Sequence, residues 1–316
     1  MGSAYNCIVI AGPTASGKTS LACAVAYELG GEILSADSRQ VYRGMDIGTG
    51  KDIEEYEVNG RRIPYHLIDI ADPVQTYTLY DYQRDFYRAF DDIIRREMVP
   101  VICGGSGLYL EAVLRKYRIS SVPEDRDFRK RMMELDRVSL LFRLARYPDL
   151  YARTDISSRK RIVRALEIAA GMDKETPHGR QTAGRHTAGR HTAGPKTPLR
   201  PLVFVLLIEP DLLKRRIHDR LHRRLAEGMV EEVSSLLDAG VPCERMMMFG
   251  MEYRWITRYC TGEIDYETMT SSLERDIRRL AKRQRTWFRG MARRGISLRT
   301  LEFPDTDVVV SAFRAE

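Results

Sequence analysis

The sequence predicts an α/β fold, in which helices cover both faces of a parallel sheet, together with a helical insertion domain. Short apolar runs alternate along the chain with segments whose apolar residues recur at helical spacing, as in repeated strand–helix units. The runs do not alternate with polar residues, which is expected of strands buried on both faces. Four runs predict strands, at residues 7–11, 32–36, 99–103 and 202–208.

The composition is that of a globular protein of one or two domains. Of 316 residues, 43% are hydrophobic and 30% are charged, which excludes fibrous, collagen-like and wholly disordered chains. The formal charge of +7 suits a polyanionic partner, although a solvated basic surface would give the same count. The five cysteines include no Cys-x-x-Cys pair, and no apolar stretch reaches the ~18 residues of a membrane helix. We therefore expect a cytoplasmic protein with reduced thiols and no membrane segment.

The first predicted strand leads into Gly12-Pro-Thr-Ala-Ser-Gly-Lys-Thr19, which fits the G-x-x-x-x-G-K-[ST] pattern of a P-loop. In this motif backbone N–H groups surround phosphate oxygens, Lys18 neutralises their charge and the Thr19 hydroxyl ligates magnesium. Leu21, Val25 and Leu29 follow at four-residue spacing and predict the helix that the motif requires. We therefore predict a P-loop-containing parallel sheet that binds a phosphorylated ligand. Kinases, hydrolases and other transferases all satisfy this motif.

Two further segments lie at the carboxyl ends of predicted strands, where ligands of such sheets bind. Asp37 follows the second strand, and the Gly104-Gly-Ser-Gly107 turn follows the third. We expect both to converge with the P-loop on one crevice. Asp37 could hold magnesium through water or act as a general base, but a lone Asp at a strand end is also a common helix cap.

The domain boundaries follow from a change in pattern after the third strand. Residues 1–119 and 200–316 are predicted to form the P-loop catalytic core with basic C-terminal helices, and residues 120–199 a helical insertion. The insertion ends in a low-complexity segment, about residues 178–198, in which Thr-Ala-Gly recurs at Thr182, Thr187 and Thr192. Its composition predicts a mobile loop, and a solvated linker is favoured over a nucleic-acid contact.

Two basic helices are predicted after the fourth strand. In the first, an apolar stripe of Leu213, Ile217, Leu221 and Leu225 lies beside a stripe of four arginines at 216, 220, 223 and 224. These guanidinium groups could clamp a phosphate leaving group or could form an exposed basic face. In the second, Gln284, Trp287 and Phe288 continue an apolar helical repeat, and we expect both aromatic residues to lie in the core.

Six blocks together resemble the tRNA dimethylallyltransferases, also called tRNA isopentenyltransferases, over most of the chain. The blocks are Gly12-Pro-Thr-Ala-Ser-Gly-Lys-Thr19, Ser35-Ala-Asp-Ser-Arg-Gln-Val-Tyr-Arg-Gly-Met-Asp-Ile-Gly-Thr49, His66-Leu-Ile-Asp-Ile-Ala-Asp-Pro73, Gly104-Gly-Ser-Gly-Leu-Tyr-Leu110, Arg161-Ile-Val-Arg-Ala-Leu-Glu-Ile168 and Ala281-Lys-Arg-Gln-Arg-Thr-Trp-Phe-Arg289. The resemblance implies transfer of a dimethylallyl group from its diphosphate to N6 of the adenosine immediately 3′ of the anticodon in tRNA. It also implies that the adenine is flipped from its stack to reach the crevice.

The resemblance assigns roles to individual residues. Asp37 would take the N6 proton, and Thr14 would contact the bridging oxygen of the diphosphate. Lys18, Arg220 and Thr19 with Mg²⁺ would stabilise the leaving diphosphate. The implied diphosphate-binding residues are Gly12, Pro13, Thr14, Ala15, Ser16, Gly17, Lys18, Thr19 and Arg220. The implied tRNA-binding residues are Asp37, Ser38, Arg39, Gln40, Ser106, Arg129, Lys160, Arg161, Ile162, Val163 and Arg164.

Four segments differ from the family's usual sequence. Ser106 replaces Thr, and Gly50 and Asp52 replace the Ala and Pro of Gly-Thr-Ala-Lys-Pro. Asp155-Ile-Ser-Ser158 replaces His-Pro-Asn-Asp, and Gly250-Met-Glu-Tyr253 replaces Gly-Tyr-Lys-Glu. We expect the differences at Ser106, Gly50 and Asp52 to have little effect on the chemistry. We expect the last two differences to affect tRNA contacts and not to touch the diphosphate site.

Three alternatives remain open from the sequence. An adenylate isopentenyltransferase would act on free nucleotides, a small-molecule kinase would use ATP, and an RNA-binding module would use the P-loop only as a sensor. The basic helices and the insertion favour tRNA as the partner. We expect a monomer.

Overall fold

The computed structural model describes residues 4–174 and 192–315, and the chain divides into two compact units. The larger unit is Met1–Tyr117 with Gly194–Glu316, and the smaller is Arg118–Ala193. The larger unit thus ends at residue 117 where 119 was predicted, and the smaller at 193 where 199 was predicted. Of the Thr-Ala-Gly repeats, those at Thr182 and Thr187 lie outside the described residues, so their predicted mobility stays a prediction.

The larger unit is built on a six-stranded sheet in the order β5-β2-β6-β1-β7-β8, in which every neighbouring pair is parallel. A separate antiparallel pair, β3 and β4, lies outside this sheet. The strands are β1 (Cys7–Ala11), β2 (Glu32–Ser35), β3 (Glu57–Val58), β4 (Arg61–Arg62), β5 (Tyr65–His66), β6 (Pro100–Gly104), β7 (Pro201–Leu206) and β8 (Arg299–Leu301). All four predicted strands are confirmed, with ends that shift by one or two residues.

The described residues contain thirteen α-helices and one 3₁₀ helix, Ile53–Tyr56. The α-helices are α1 (Lys18–Leu29), α2 (Leu79–Arg95), α3 (Gly107–Leu114), α4 (Arg126–Glu134), α5 (Arg137–Leu144), α6 (Pro148–Arg153), α7 (Arg159–Lys174), α8 (Pro210–Ala226), α9 (Met229–Asp238), α10 (Cys243–Met246), α11 (Met251–Cys260), α12 (Tyr266–Arg293) and α13 (Thr306–Ala315). Not one of the helices in this part of the chain combines the length and the apolarity needed to cross a membrane.

The side chains of β1 show why helices cover both faces of the sheet. Cys7, Val9 and Ala11 pack with residues of α2, α3 and α12, whereas Ile8 and Ile10 pack with residues of α1 and α13. Successive side chains of a strand point to opposite faces, so one unbroken apolar run supplies two cores. The predicted α/β fold with both faces covered is therefore confirmed.

A third apolar cluster joins α8 to α12 beside the sheet. The predicted stripe of α8 lies in it, and Leu213, Ile217, Leu221 and Leu225 are all buried. From α12 it includes Leu273 and Ile277. Because the apolar stripe of α8 is fixed in this cluster, the neighbouring arginine stripe is held in a defined direction.

The smaller unit has its own core, formed by α5 and α7 with α4 and α6 packed around them. Leu140, Leu144, Ile162 and Leu166 are buried in this core. Beside them the buried carboxylate of Glu167 accepts hydrogen bonds from two arginines, Arg129 of α4 and Arg164 of α7. These ion pairs compensate the cost of burying the carboxylate.

A buried carboxylate at the sheet edge leads to a pH-dependent prediction. Glu32 is 4% exposed, accepts hydrogen bonds from Arg96 and lies 2.7 Å from His66 Nε2. The bond from Arg96 is the main cause that lowers the pKa of Glu32 below its ordinary value of 4.5. We expect Glu32→Gln to reduce the free energy of unfolding at pH 7 by about 1–3 kcal/mol. The native carboxylate has the lower pKa, so this stabilisation is complete above pH 4.5 and is lost as pH falls further.

Denaturant unfolding between pH 7 and pH 3 would measure this difference. The exposed Glu57→Gln is the matched control, and it should leave the unfolding free energy unchanged at every pH. A destabilisation by Glu32→Gln that stayed constant down to pH 3 would contradict the ionic origin of the effect.

Candidate active site

A cavity of about 680 Å³ lies at the carboxyl ends of β1, β2 and β6, and all of its lining residues belong to the larger unit. The P-loop lines it through Thr14, Lys18 and Thr19, and Asp37 and the turn at Gly105 line it from the neighbouring strands. The three segments that the sequence placed at strand ends therefore share one cleft. Parallel strands bring this about, because their carboxyl ends lie on the same edge of the sheet.

The backbone of the P-loop is held in an unusual conformation. Gly17 has φ of 88°, and Ala15, which carries a side chain, has φ of 61°. The left-handed region costs a residue other than glycine about 1–2 kcal/mol, so the surrounding structure must hold Ala15 in place. The helix α1 begins directly afterwards at Lys18, so its positive N-terminal end faces the cleft.

Gln284 of α12 connects the P-loop to the loop after β6. Its Oε1 accepts the N–H of Thr14 at 2.8 Å, and its Nε2 donates to the carbonyl of Gly105 at 3.0 Å. The N–H of Thr14 is therefore already satisfied, which leaves the hydroxyl of Thr14 as its polar group in the cavity. Sequence reasoning placed Gln284 in a helical repeat and gave it no function; a polar residue within an apolar stripe was the available signal.

Two cations lie together on the P-loop side of the cavity. Arg220 of α8 donates a hydrogen bond to Thr14 Oγ1, and Lys18 lines the same wall. Burial lowers the pKa of Lys18, and the charge of Arg220 lowers it further. Burial, with the neighbouring Arg224, also lowers the pKa of Arg220 to about 10. The charged forms of both side chains are therefore disfavoured in the free protein. A multivalent anion bound beside them would stabilise these charged forms, so the wall suits such a ligand.

The arginine stripe of α8 divides between the cleft and solvent. Arg216 donates to the carbonyl of Ser16 at 3.3 Å, Arg220 to Thr14, and Arg224 to the carboxylate of Asp52. Arg223 alone of the four lies exposed, 3.5 Å from Glu227. The alternative that all four arginines form an exposed basic face is therefore wrong, because the buried apolar stripe turns three of them toward the P-loop and its neighbours.

Asp37 begins a turn and does not cap a helix. Its Oδ1 accepts the N–H of Arg39 at 2.9 Å, and residues 38–41 form the turn that follows. The side chain lines the cavity. The alternative of a helix cap is therefore wrong, and the carboxylate retains lone pairs for a ligand.

The neighbours of Asp37 stabilise the turn from two sides. The N–H of Ser38 donates to Ser106 Oγ at 3.2 Å, which links the strand ends of β2 and β6. Gln40 is 9% exposed and donates to the carbonyl of Gly50 at 2.8 Å. Arg39 also lines the cavity.

Comparison with known proteins supplies the family. The model described as IPP transferase matches residues 40–291, and one described as Isopentenyl transferase matches residues 5–72. The chain belongs to the tRNA dimethylallyltransferase (IPP transferase) family. It is 45% identical over 295 residues to tRNA dimethylallyltransferase 1 of Porphyromonas gingivalis, with 93% of each chain covered. It is 46% identical to tRNA dimethylallyltransferase 2 of Bacteroides fragilis, with 93% and 92% of the two chains covered.

The fold of the family matches as well. The full-length tRNA isopentenylpyrophosphate transferase of Bacillus halodurans superposes with a TM-score of 0.66 at 29% identity. The match covers 98% of this chain and 95% of the other. The resemblance that the six sequence blocks indicated is thus confirmed over nearly the whole chain.

One aromatic residue of the family's last block lies where the sequence did not predict it. Phe288 is 1% exposed and lies in the core as expected, but Trp287 is 38% exposed and lines the cavity. Its indole packs on Gly107, where an added Cβ would lie 2.3 Å from Trp287 Cδ1. The prediction for Trp287 is wrong, because α12 is buried on one side and turns the adjacent face, with Arg279, Arg283 and Gln284, to the cleft.

Glu232 of α9 organises a loop whose Gly48 lines the cavity. Its carboxylate accepts the N–H groups of Asp46, Ile47 and Gly48, and the hydroxyl of Tyr253 donates to it at 2.6 Å. A Cβ at Gly48 would lie 2.8 Å from the Tyr253 ring. Sequence reasoning missed Glu232, since a single Glu on an amphipathic helix carries no local signal.

The differences from the usual family sequence at 50, 52 and 252 meet at the arginines of α8. Asp52 pairs with Arg224, and Glu252 lines the cavity beside Arg220 and Arg224. The negative charges of Asp52 and Glu252 both favour the charged form of Arg220. The expectation that the difference at residues 250–253 stays away from this wall is therefore wrong for Glu252, because residues of α8 and α11 lie in one apolar cluster.

The predicted tRNA-binding residues of the smaller unit differ in how far their side chains are exposed to solvent. Lys160 and Arg161 are exposed, and Arg161 pairs with Asp155. Arg129 and Arg164, each half-buried, bind Glu167 inside the unit. Ile162 and Val163 are 0% and 2% exposed, so their side chains lie in the core, and their contact with tRNA stays a prediction.

Gln284 supplies a test of the geometry of the cleft. We expect Gln284→Ala to weaken binding of inorganic diphosphate about tenfold, because it releases the Thr14 N–H and the Gly105 carbonyl that hold the P-loop. Isothermal titration calorimetry measures this constant. The matched control is Thr286→Ala on the exposed side of α12, where the hydroxyl only donates to the Lys282 carbonyl. Equal affinities for Gln284→Ala and the native protein would contradict the proposed link.

Proposed function

We propose that this protein transfers a dimethylallyl group from dimethylallyl diphosphate to the exocyclic N6 of the adenosine immediately 3′ of the anticodon in tRNA. The products are N6-(dimethylallyl)adenosine and diphosphate. The observation that carries the proposal is that one cavity joins an anion-binding wall to the carboxylate of Asp37. Relatives that are 41–46% identical and named tRNA dimethylallyltransferase support the choice of substrates.

The wall of the P-loop binds the diphosphate of the donor. Backbone N–H groups of the P-loop other than that of Thr14, together with the ammonium of Lys18, contact the phosphate oxygens, and the Arg220 guanidinium reaches the oxygen next to Thr14. When the bond between C1 of the prenyl group and the bridging oxygen breaks, negative charge collects on the diphosphate. Lys18, Arg220 and the hydroxyl of Thr14 stabilise that charge in a site that is partly withdrawn from water.

Asp37 activates the acceptor on the other side of the reacting carbon. The adenine N6 lone pair forms the new bond to C1 while the C1–O bond breaks, and N6 then carries an extra proton. The Asp37 carboxylate accepts this proton, so the acceptor leaves as a neutral secondary amine. The turn at Arg39 that fixes Asp37 Oδ1 leaves its second oxygen for this task.

Mg²⁺ is the cation that we assign to the diphosphate, with Thr19 as its protein ligand. The residues fit this ion, since Thr19 offers a hydroxyl oxygen in the same cavity and a hard cation takes oxygen ligands. Bound there, Mg²⁺ would neutralise charge on the diphosphate oxygens. Lys18 and Arg220 bind and orient the same group.

The cleft and the smaller unit supply the contacts to tRNA. Arg39, Arg279 and Arg283 line the cavity and offer positive charge to phosphates beside the flipped adenosine. The exposed indole of Trp287 offers a surface on which a neighbouring base of the anticodon loop stacks. Lys160 and Arg161, exposed on the smaller unit, extend the contacts.

We further propose that the protein acts as a monomer in the cytoplasm. The residues that line the cavity all belong to the larger unit. All five cysteines are free thiols, as a reducing compartment favours.

Mass analysis of tRNA nucleosides tests the reaction directly. We expect unmodified tRNA incubated with the protein, dimethylallyl diphosphate and magnesium to gain N6-(dimethylallyl)adenosine at the single position 3′ of the anticodon. Asp37→Asn keeps the shape of the turn but removes the base, and we expect it to reduce turnover at least about 10³-fold while tRNA affinity stays within about twofold.

The acceptor and donor controls separate the alternatives. Prenylation of AMP but not of tRNA would replace the proposal with an adenylate isopentenyltransferase. Transfer of the γ-phosphate from labelled ATP, without transfer from dimethylallyl diphosphate, would indicate a kinase. Native turnover by Asp37→Asn would refute the assignment of the base.

Trp287 makes the tRNA interface measurable, because the chain has only two tryptophans. The other, Trp255, donates its indole N–H to Asp276 and lies under the Arg258 guanidinium. In Trp255→Phe we expect an anticodon stem-loop to quench the remaining Trp287 fluorescence, since a base stacks on the indole.

The reciprocal variant is the control. In Trp287→Phe the remaining Trp255 should respond little, whereas Trp287→Leu should weaken stem-loop binding about tenfold. A stem-loop that bound with native affinity and quenched neither tryptophan would rule out stacking on Trp287.

A further inference from the structure

We propose that Asp52 and Arg224 form an ion pair that sets the affinity of the active-site wall for diphosphate. Arg224 is the second arginine of the wall, beside Arg220. Asp52 partly neutralises the charge of Arg224, so that the wall binds the leaving diphosphate less tightly. The inference rests on the proposed function, because it requires that the wall bind a diphosphate. It adds two residues that the family resemblance does not assign to the reaction.

The geometry of the pair is specific. Arg224 Nη2 lies 2.8 Å and 2.7 Å from the two carboxylate oxygens of Asp52. Arg224 is 7% exposed, and its Nε is buried without a hydrogen-bond partner in the described part of the chain. Asp52 is the more accessible partner, and both residues line the cavity. A nearly buried guanidinium with one unsatisfied N–H is poised for a further acceptor.

The backbone opposite Arg224 is adapted to the pair. Gly50 has φ of 64°, and a Cβ there would lie 2.2 Å from Arg224 Nη2. The family's usual Ala at this position would therefore displace the guanidinium. Asp52 itself has φ of 44°, a region open to aspartate and closed to the family's usual proline. The two substitutions thus provide the space and the counter-charge that Arg224 needs.

The position of Arg224 connects the pair to the diphosphate wall. Arg220 and Arg224 are one turn apart on α8, and the charge of Arg224 disfavours the charged form of Arg220. Asp52 and Glu252 offset this repulsion, so two arginines face two carboxylates. The net charge beside Thr14 therefore depends on the pair of Arg224 and Asp52, and removing either member of the pair shifts it by one unit.

This charge balance predicts changes of opposite sign. Asp52→Asn removes a negative charge near the bound anion and frees Arg224, so diphosphate should bind about tenfold more tightly. Arg224→Met removes the positive charge and leaves Asp52 unpaired, so diphosphate should bind about tenfold more weakly. The double variant restores the native net charge, and its dissociation constant should return to within about threefold of the native value. Arg224→Lys keeps the positive charge, so its dissociation constant should also lie within about threefold of the native value.

The experiment is isothermal titration calorimetry, which measures the dissociation constant of inorganic diphosphate in the presence of magnesium. It is carried out on the full chain and on these four variants. Melting curves by circular dichroism establish that each variant is folded. Asp211→Asn is the matched control: it removes the same charge from an exposed ion pair on the same helix, and its affinity should not change.

The outcomes separate this inference from the proposed function. Lys18→Ala shows whether diphosphate binds at the P-loop wall, because it should abolish that binding. If it does so, but Asp52→Asn and Arg224→Met both weaken binding or neither changes it, the pair is only structural and this inference is wrong. If the native protein shows no Lys18-dependent binding of diphosphate, the proposed function fails and the inference fails with it. Opposite shifts that cancel in the double variant establish the pair as an affinity-setting device.

Discussion

The site depends on holding several cations beside one another without a bound anion. Lys18 and Arg220 share one wall of the cleft, and burial lowers the pKa of both. The fold tolerates this through fixed opposing groups, since the Thr14 hydroxyl accepts from Arg220 and Asp52 and Glu252 offset the charge of the arginines. A multivalent anion would complete this balance of charge, and the proposed diphosphate is such an anion.

That wall is positioned by packing rather than by its own hydrogen bonds. The apolar stripe of α8 is fixed against α12, and this contact turns Arg216, Arg220 and Arg224 toward the P-loop and its neighbours. From α12 itself, Gln284 binds both the P-loop and the turn after β6. Helices α8 and α12, which both lie after β7 in the chain, thus complete a site whose P-loop begins at residue 12. There the backbone N–H of Thr14 meets a side chain that lies 270 residues later in the sequence.

A second set of hydrogen bonds positions Asp37, the proposed base. The strand ends of β2 and β6 are joined through Ser38 and Ser106, and this link holds the turn that begins at Asp37. Glu232 accepts hydrogen bonds from the backbone N–H groups of Asp46, Ile47 and Gly48 and so fixes a loop that lines the cavity. Both sets use short polar links between loops, which keep a concave site open at the edge of a densely packed sheet.

The sequence by itself determined the local elements of this protein. Four buried strands, the P-loop, the position of Asp37 at a strand end and the apolar stripe of α8 all follow from periodicity and from turn residues, which act over a few neighbours. The same neighbours carry the six family blocks. These local rules also predict convergence at one sheet edge, because parallel strands leave no other arrangement.

Tertiary structure alone decided which side chains face the cleft. Helical periodicity could not distinguish Trp287, which lines the cavity, from Phe288, which lies in the core, because adjacent faces of α12 meet different neighbours. Glu232, Gln284 and the pair of Asp52 with Arg224 act across 170 or more residues of chain. Contacts at such separations depend on how helices pack. A hydrophobic pattern that repeats every few residues therefore cannot predict them.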